Sequence, residues 1–144
     1  MRIFNRKARH DYFIIESFEA GVVLSGFEAK SVKMGRVDLS DSFARVENGE
    51  LFVKNLYIHP FQTPPQGYNP RVDRKLLLHK RQIETLMGKS GQSGITLIPL
   101  SIYIKRNFVK IELGLAGSKK KYDKRRAIKE RDQARKLEQE LSPD

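Results

Sequence analysis

GITLIPLSIYIKRNFVKIELGLA, residues 94–116, is the stretch on which the fold class turns. In its second half Val109, Ile111, Leu113 and Leu115 alternate with Lys110, Glu112 and Gly114. That is the period of two expected of a strand with one face buried. GITLIPLSIYIKR precedes it as a partner strand, and Arg106-Asn107 is left as the turn of a hairpin.

Working outward, SFARVENGELFVK is a second hairpin, residues 42–54. Asn48-Gly49 supplies the positive φ angles of a type I′ turn, and Phe43 and Val46 are expected to approach Leu51 and Val53. DYFIIESF carries the aromatic and β-branched residues that suit a half-buried pleat; EAG then reads as a turn and VVLS as a further strand. FEAKSVKM favours a helix that ends at Gly35 as its C′ residue. LYIHPF is a short strand stopped by Pro60, and residues 62–74, with Pro64, Pro65, Gly67 and Pro70, form a long loop. LLLHKRQIETLMGK predicts a helix with Leu76, Ile83 and Leu86 or Met87 on one face. About six strands, two or three helices and hairpin connections without a βαβ rhythm imply a mainly β domain, a small closed barrel or a sandwich. The oligonucleotide-binding (OB) barrel is the natural candidate for a basic chain.

The chain has 144 residues, a formal net charge of +11 and no cysteine. It is long enough for one core without staples. The absence of thiols removes disulfides and thiolate metal sites. MRIFNRKARHDYFII lacks the apolar region of a signal peptide, and no apolar run is long enough to cross a membrane, so a cytoplasmic protein is expected. Residues 117–144 hold ten Lys/Arg and six Asp/Glu and few apolar residues, so the expected division is a folded core, 1–116, and a basic tail, 117–144. Such a charge favours a polyanion as partner, because bound phosphates release their counterions.

Enzymatic signatures are weak. GKSGQSG, residues 88–94, lacks the glycine that a P-loop places five positions before its Gly-Lys-Ser, and a helix precedes it where a strand is needed. His10, His59 and His79 are scattered, with no metal-ligand spacing. His10-Asp11, read as adjacent strand residues, would point to opposite faces. No metal, no cofactor and no catalytic residue is expected. The cations instead cluster in NRKAR (5–9), KSVKMGR (30–36), RVDRKLLLHKR (71–81) and SKKKYDKRR (118–126), flanked by Tyr12, Tyr68 and Tyr122. Cations hold phosphates while aromatic rings stack on unpaired bases.

NRKARHDYFI, EAGVVLSGFEAKSVKMGRVDLSDSFARVENGELFV, RKLLLHK, TLIPLSIY and KKKYDKR, in that order over nearly the whole chain, closely resemble the bacterial SsrA-binding protein (SmpB) family. The resemblance implies an antiparallel barrel of OB-like topology with helices outside it. It implies binding of the tRNA-like end of transfer-messenger RNA and its delivery to ribosomes stalled on messages without a stop codon. The implied partners are that RNA, the small-subunit decoding centre and mRNA channel of the ribosome, and the elongation factor that carries aminoacyl-tRNA. No membrane partner is expected, and the free protein is expected to be a monomer. Carried over residue by residue, the RNA-binding face would comprise Asn5, Lys7, Arg9, His10, Tyr12, Glu19, Leu77 and His79. In the tail, Lys119, Lys120, Tyr122, Asp123, Lys124 and Arg125 match the segment that reaches the decoding centre, disordered when free and helical on the ribosome. Glu19 is suited to accept from a base amino group, with a turn residue before Gly21 as its plain alternative; the plain alternative for Leu77 is core packing. The sequence departs from the family's usual pattern at Gly117-Ser118, where Arg-Gly is common, and at Phe27 and Ala29, where Thr and Val are common. The competing function is a ribosomal or RNA-chaperone protein with a non-specific basic tail.

Overall fold

The structure, a computed structural model, describes residues 1–90 and 94–118. In chain order its elements are β1 (Arg2–Phe4), α1 (Arg6–Asp11), β2 (Tyr12–Val22), α2 (Gly26–Lys33), β3 (Val37–Asp38), β4 (Phe43–Glu47), β5 (Glu50–Lys54), β6 (Tyr57–Ile58), β7 (Arg74–Leu77), α3 (Lys80–Ser90), β8 (Ile95–Lys105) and β9 (Phe108–Ser118). Strands β8-β4-β5-β7-β2-β9 pair in that order and β9 returns to β8, closing an antiparallel ring. β8 divides its other edge between β1, at Ser101–Tyr103, and β4, at Leu97. Strands β3 and β6 form a separate two-stranded ribbon. This is the mainly β barrel with helices outside that the sequence led to expect.

The β8–β9 hairpin forms one side of the barrel wall. Arg106 (φ 51) and Asn107 (φ 67) reverse the chain, and Val109, Ile111, Leu113 and Leu115 all point into the core. They meet Leu51, Val53, Leu76, Leu97 and Ile102, all buried. The second hairpin turns on Asn48 (φ 53) and Gly49 (φ 77). Helix α2 is closed at its start by a reciprocal bond pair between Ser25 and Glu28, and at its end Gly35 (φ 75) takes the left-handed conformation.

Several expectations are corrected. Glu19-Ala20-Gly21 is no turn: β2 runs through it, because Ala20 and Gly21 pair with Ile111 and Lys110 while Gly21 also pairs with Leu77 on the other edge. The bend needed by so long a strand is taken by a bulge between Ile14 and Glu16. Leu76 and Leu77 belong to a strand, and the helix starts only at Lys80. Burial alternates from Arg74 to Leu77, and Leu76 fills the gap between Leu51 and Val22, so ring closure overrides helix propensity there. Ile83 and Leu86 of α3 are buried as expected, whereas Met87 is exposed. The two-residue turn sets Val46 opposite Leu51 as expected, while Val53 faces Ala44, one place from Phe43, which lies opposite Lys54. Strand β9 continues past residue 116: Gly117 and Ser118 pair with Phe13 and Tyr12, and Gly117 is buried.

Residues 59–73 are irregular, and Arg74 links them to α2 and to Leu56. Arg74 donates from Nε to Glu28 Oε2 (2.6 Å), from Nη1 to the Leu56 carbonyl (2.6 Å) and from Nη2 to the Pro70 carbonyl (2.9 Å). Tyr68 adds a bond to the Ile58 carbonyl, and Phe27 packs on Phe61 and Tyr68, so the unusual Phe27 anchors this loop to α2.

Candidate nucleic-acid interface

Outward positions of the barrel wall fall in register rows. Arg2 lies opposite Tyr103, Tyr103 opposite Lys110, Lys110 opposite Gly21, and Gly21 opposite Leu77. The neighbouring row is Phe4, Ser101, Glu112 and Glu19. Two residues far apart in sequence, Glu19 and Leu77, are thereby set on one face. Gly21 matters here because it has no side chain: a Cβ at that position would stand 3.4 Å from Leu77 Cβ and 3.7 Å from Lys110 Nζ. Lys110 therefore lies across the glycine toward Leu77.

Glu19 is the centre of this face. It accepts from the Tyr103 hydroxyl and from Lys105 Nζ (3.4 Å). The Tyr103 bond, reinforced by Lys105 and Lys110, holds the Glu19 carboxyl below its ordinary value. Burial, and then the same bond, push the Tyr103 phenol up to about 12. The guanidinium of Arg2 covers the Tyr103 ring at 4.1 Å from its centroid. Glu112 holds Arg2 (3.5 Å) and Arg9 (3.4 Å), and both guanidinia approach Phe4. These are long, exposed pairs, each worth about 0–1 kcal/mol, so they orient the arginines yet exchange readily for a phosphate. With Lys105, Arg106 and Lys110, the face sets five cations around two carboxylates.

Arg9, Glu19 and Leu77 are thus brought together, and Leu77 is 54% exposed, so core packing is not its role. Asn5 is placed differently. It is buried, donates to the Leu39 and Pro99 carbonyls (3.0 and 2.9 Å) and accepts from the Ala8 amide (3.1 Å). Its side chain is consumed in capping α1 and fixing that helix to the barrel, which in turn positions Arg9. Lys7 turns the other way and pairs with Asp41 (2.8 Å), which raises its pKa. Tyr12 and Lys7 line a separate cleft with Phe43 and Thr96. His10 is exposed at the end of α1 and bonds Asp11 through Nδ1 at 3.0 Å, a contact that the strand assumption had excluded and that the helix allows. His79 stands just before α3, where its carbonyl accepts from the Gln82 and Ile83 amides. Lys119, Lys120, Tyr122, Asp123, Lys124 and Arg125 lie outside the described residues.

A family model described as SmpB protein matches residues 2–143. This chain belongs to the SmpB family. It is 53% identical over 138 residues to the SsrA-binding protein of Carboxydothermus hydrogenoformans, covering 95% of this chain and 93% of that protein. It is 52% identical over 135 residues to the SsrA-binding protein of Geobacillus thermodenitrificans, covering 93% and 87%. A solved structure described as "tmRNA-SmpB: a journey to the center of the bacterial ribosome" contains a chain 50% identical to this one, with a TM-score of 0.70 over 82% of this chain and 84% of that one. Arg2, Phe4, Tyr103, Lys105 and Lys110 share this candidate face without having been singled out in the sequence, although the alternation in 108–116 already turned Lys110 and Glu112 outward.

Proposed function

We propose that this chain is an RNA-binding adaptor that holds the tRNA-like end of transfer-messenger RNA and delivers it to stalled ribosomes for trans-translation. The observation that carries this is the Glu19 face, with its cations on β1, β8 and β9, on a chain about half identical to proteins named for binding SsrA. The neighbour named for tmRNA–SmpB and the bacterial ribosome supports the ribosome as second partner. Cations anchor phosphates on either side of Glu19, and Glu19 and Tyr103 offer hydrogen-bonding groups to bases.

The finer proposals follow the same logic. Residues 1–116, completed by Gly117 and Ser118, act as the RNA-binding core, and the remaining tail acts at the ribosome. There Lys119, Lys120, Lys124 and Arg125 neutralise phosphates along the mRNA channel as the segment becomes helical, and Tyr122 stacks at the decoding centre. Asp123 favours the positive end of that helix. The elongation factor that carries aminoacyl-tRNA is the third partner. The protein works in the cytoplasm without chemistry of its own.

Binding of the tRNA-like RNA and of an unrelated stem-loop of equal length, measured across a salt series, tests the proposal. If about four phosphates are held, log Kd for the tRNA-like RNA should follow log salt with a slope magnitude of about 3. Equal affinity for the two RNAs, or a slope near zero, would refute it. A chain truncated after Ser118 should keep this binding and lose tagging of stalled chains; loss of RNA binding would assign the tail to the primary site.

A further inference from the structure

We propose that Phe108, at the tip of the β8–β9 hairpin, is a stacking platform for an unpaired base of the RNA bound on the Glu19 face. The inference rests on the function proposed above and adds a residue to it. Phe108 is 68% exposed, more than any other large apolar side chain among the described residues. Its position is set by the hairpin: the two left-handed residues Arg106 and Asn107 complete the turn, and Phe108 opens β9 directly opposite Lys105. The register continues from Lys105 and Phe108 to Tyr103 and Lys110 and then to Ser101 and Glu112, so Phe108 shares the outward column of Lys110 and Glu112. That column abuts Gly21 and Glu19 of β2. Among the described residues no aromatic ring or cation stacks on Phe108, and Arg106 and Lys110 have no ion-pair partner within 4 Å.

The chemistry of such a tip is specific. A hydrophobic ring at the rim of a basic face gains nothing from phosphate, which the neighbouring cations take. A base beside those phosphates presents a flat π-surface that matches the ring, and any of the four bases serves. Lys105, Arg106 and Lys110 hold the backbone of that nucleotide, while the hairpin holds the ring at fixed height above the sheet. A solitary aliphatic contact would not need this geometry; a stacked one does.

The test uses the full chain with Phe108→Ala, Phe108→Leu and Phe108→Trp, each titrated with the tRNA-like RNA. Exposure of the side chain predicts that all three melt within a few degrees of wild type. Phe108→Ala and Phe108→Leu should bind roughly fivefold to a hundredfold more weakly, with the salt slope unchanged because no phosphate contact is lost. Phe108→Trp should bind at least as well as wild type. The natural sequence has no tryptophan, so its indole is a unique reporter, and its emission should be quenched as RNA saturates the protein. Wild-type affinity for Phe108→Ala or for Phe108→Leu, or an emission untouched at saturation, would overturn the proposal. A wild-type chain that fails to prefer the tRNA-like RNA would instead refute the function on which it rests.

Discussion

Arg74→Met removes a side chain that ties three separate pieces of the fold together. Arg74 is 3% exposed and its carboxylate partner Glu28 is 7% exposed. The substitution leaves the Glu28 carboxylate buried without a counter-charge, strips the Leu56 carbonyl of its Arg74 donor and leaves the Pro70 carbonyl only the Ile58 amide. Breaking a buried pair from one side costs about 3–5 kcal/mol, since the remaining charge must be desolvated alone. For the roughly 115 described residues, an unfolding entropy of about 0.24 kcal/mol/K near 60 °C turns this into a fall in Tm of about 12–20 °C. Circular dichroism melts of wild type and variant measure it. Arg74→Met/Glu28→Gln should recover roughly half of the loss, because the neutral amide needs no counter-ion and can still accept from Ser25 at the start of α2. A fall in Tm below about 4 °C for the single variant would refute the reasoning. So would a double variant as unstable as the sum of its parts, since coupled partners are not additive.

Other expectations are smaller in scope. Gly114→Ala would set a Cβ 2.8 Å from Leu100 Cδ1, and overpacking there should cost about 1–3 kcal/mol, read as an earlier denaturation midpoint; an unchanged midpoint would show that Leu100 can move aside. Glu19→Ala should weaken binding of the tRNA-like RNA by roughly fivefold or more with little change in Tm, against the gain that simple removal of a negative charge predicts; equal or tighter binding would remove Glu19 from the interface. In ultraviolet titration one of the five tyrosines, Tyr103, should ionise near pH 12, and Glu19→Gln should lower that midpoint while leaving it above 10, because burial is the larger cause. Its folded pKa is raised, so its contribution to stability is complete below pH 10 and is lost as pH rises toward 12; an identical titration in the variant would deny the coupling. Tyr122→Ala should leave RNA affinity unchanged and slow tagging on stalled ribosomes by about tenfold or more, with Tyr122→Phe near wild type, since only the ring is invoked.

The sequence by itself determined the local pieces. The alternation in 108–116, the Asn48-Gly49 and Arg106-Asn107 turns and the Gly35 terminus follow from side-chain period and from the few residues that tolerate positive φ, and the structure has each where the residues demand it. The order of motifs gave the family, because those strings are long and specific. Tertiary structure decided what local preference could not. Glu19-Ala20-Gly21 has turn composition, yet pairing on both edges keeps it extended. LLL looks helical until ring closure claims Leu76 as a strand residue between two neighbours distant in sequence. The candidate site divides in the same way. Asn5, Lys7, Arg9 and His10 are adjacent in the chain, but a single helical turn sends them to the core, to Asp41, to Glu112 and to solvent. Glu19, Leu77, Tyr103 and Lys110 are scattered along the chain, and only the register of four strands makes them neighbours. Register is a property of paired backbones, set by hydrogen bonds and core packing between segments far apart, so no single segment carries it.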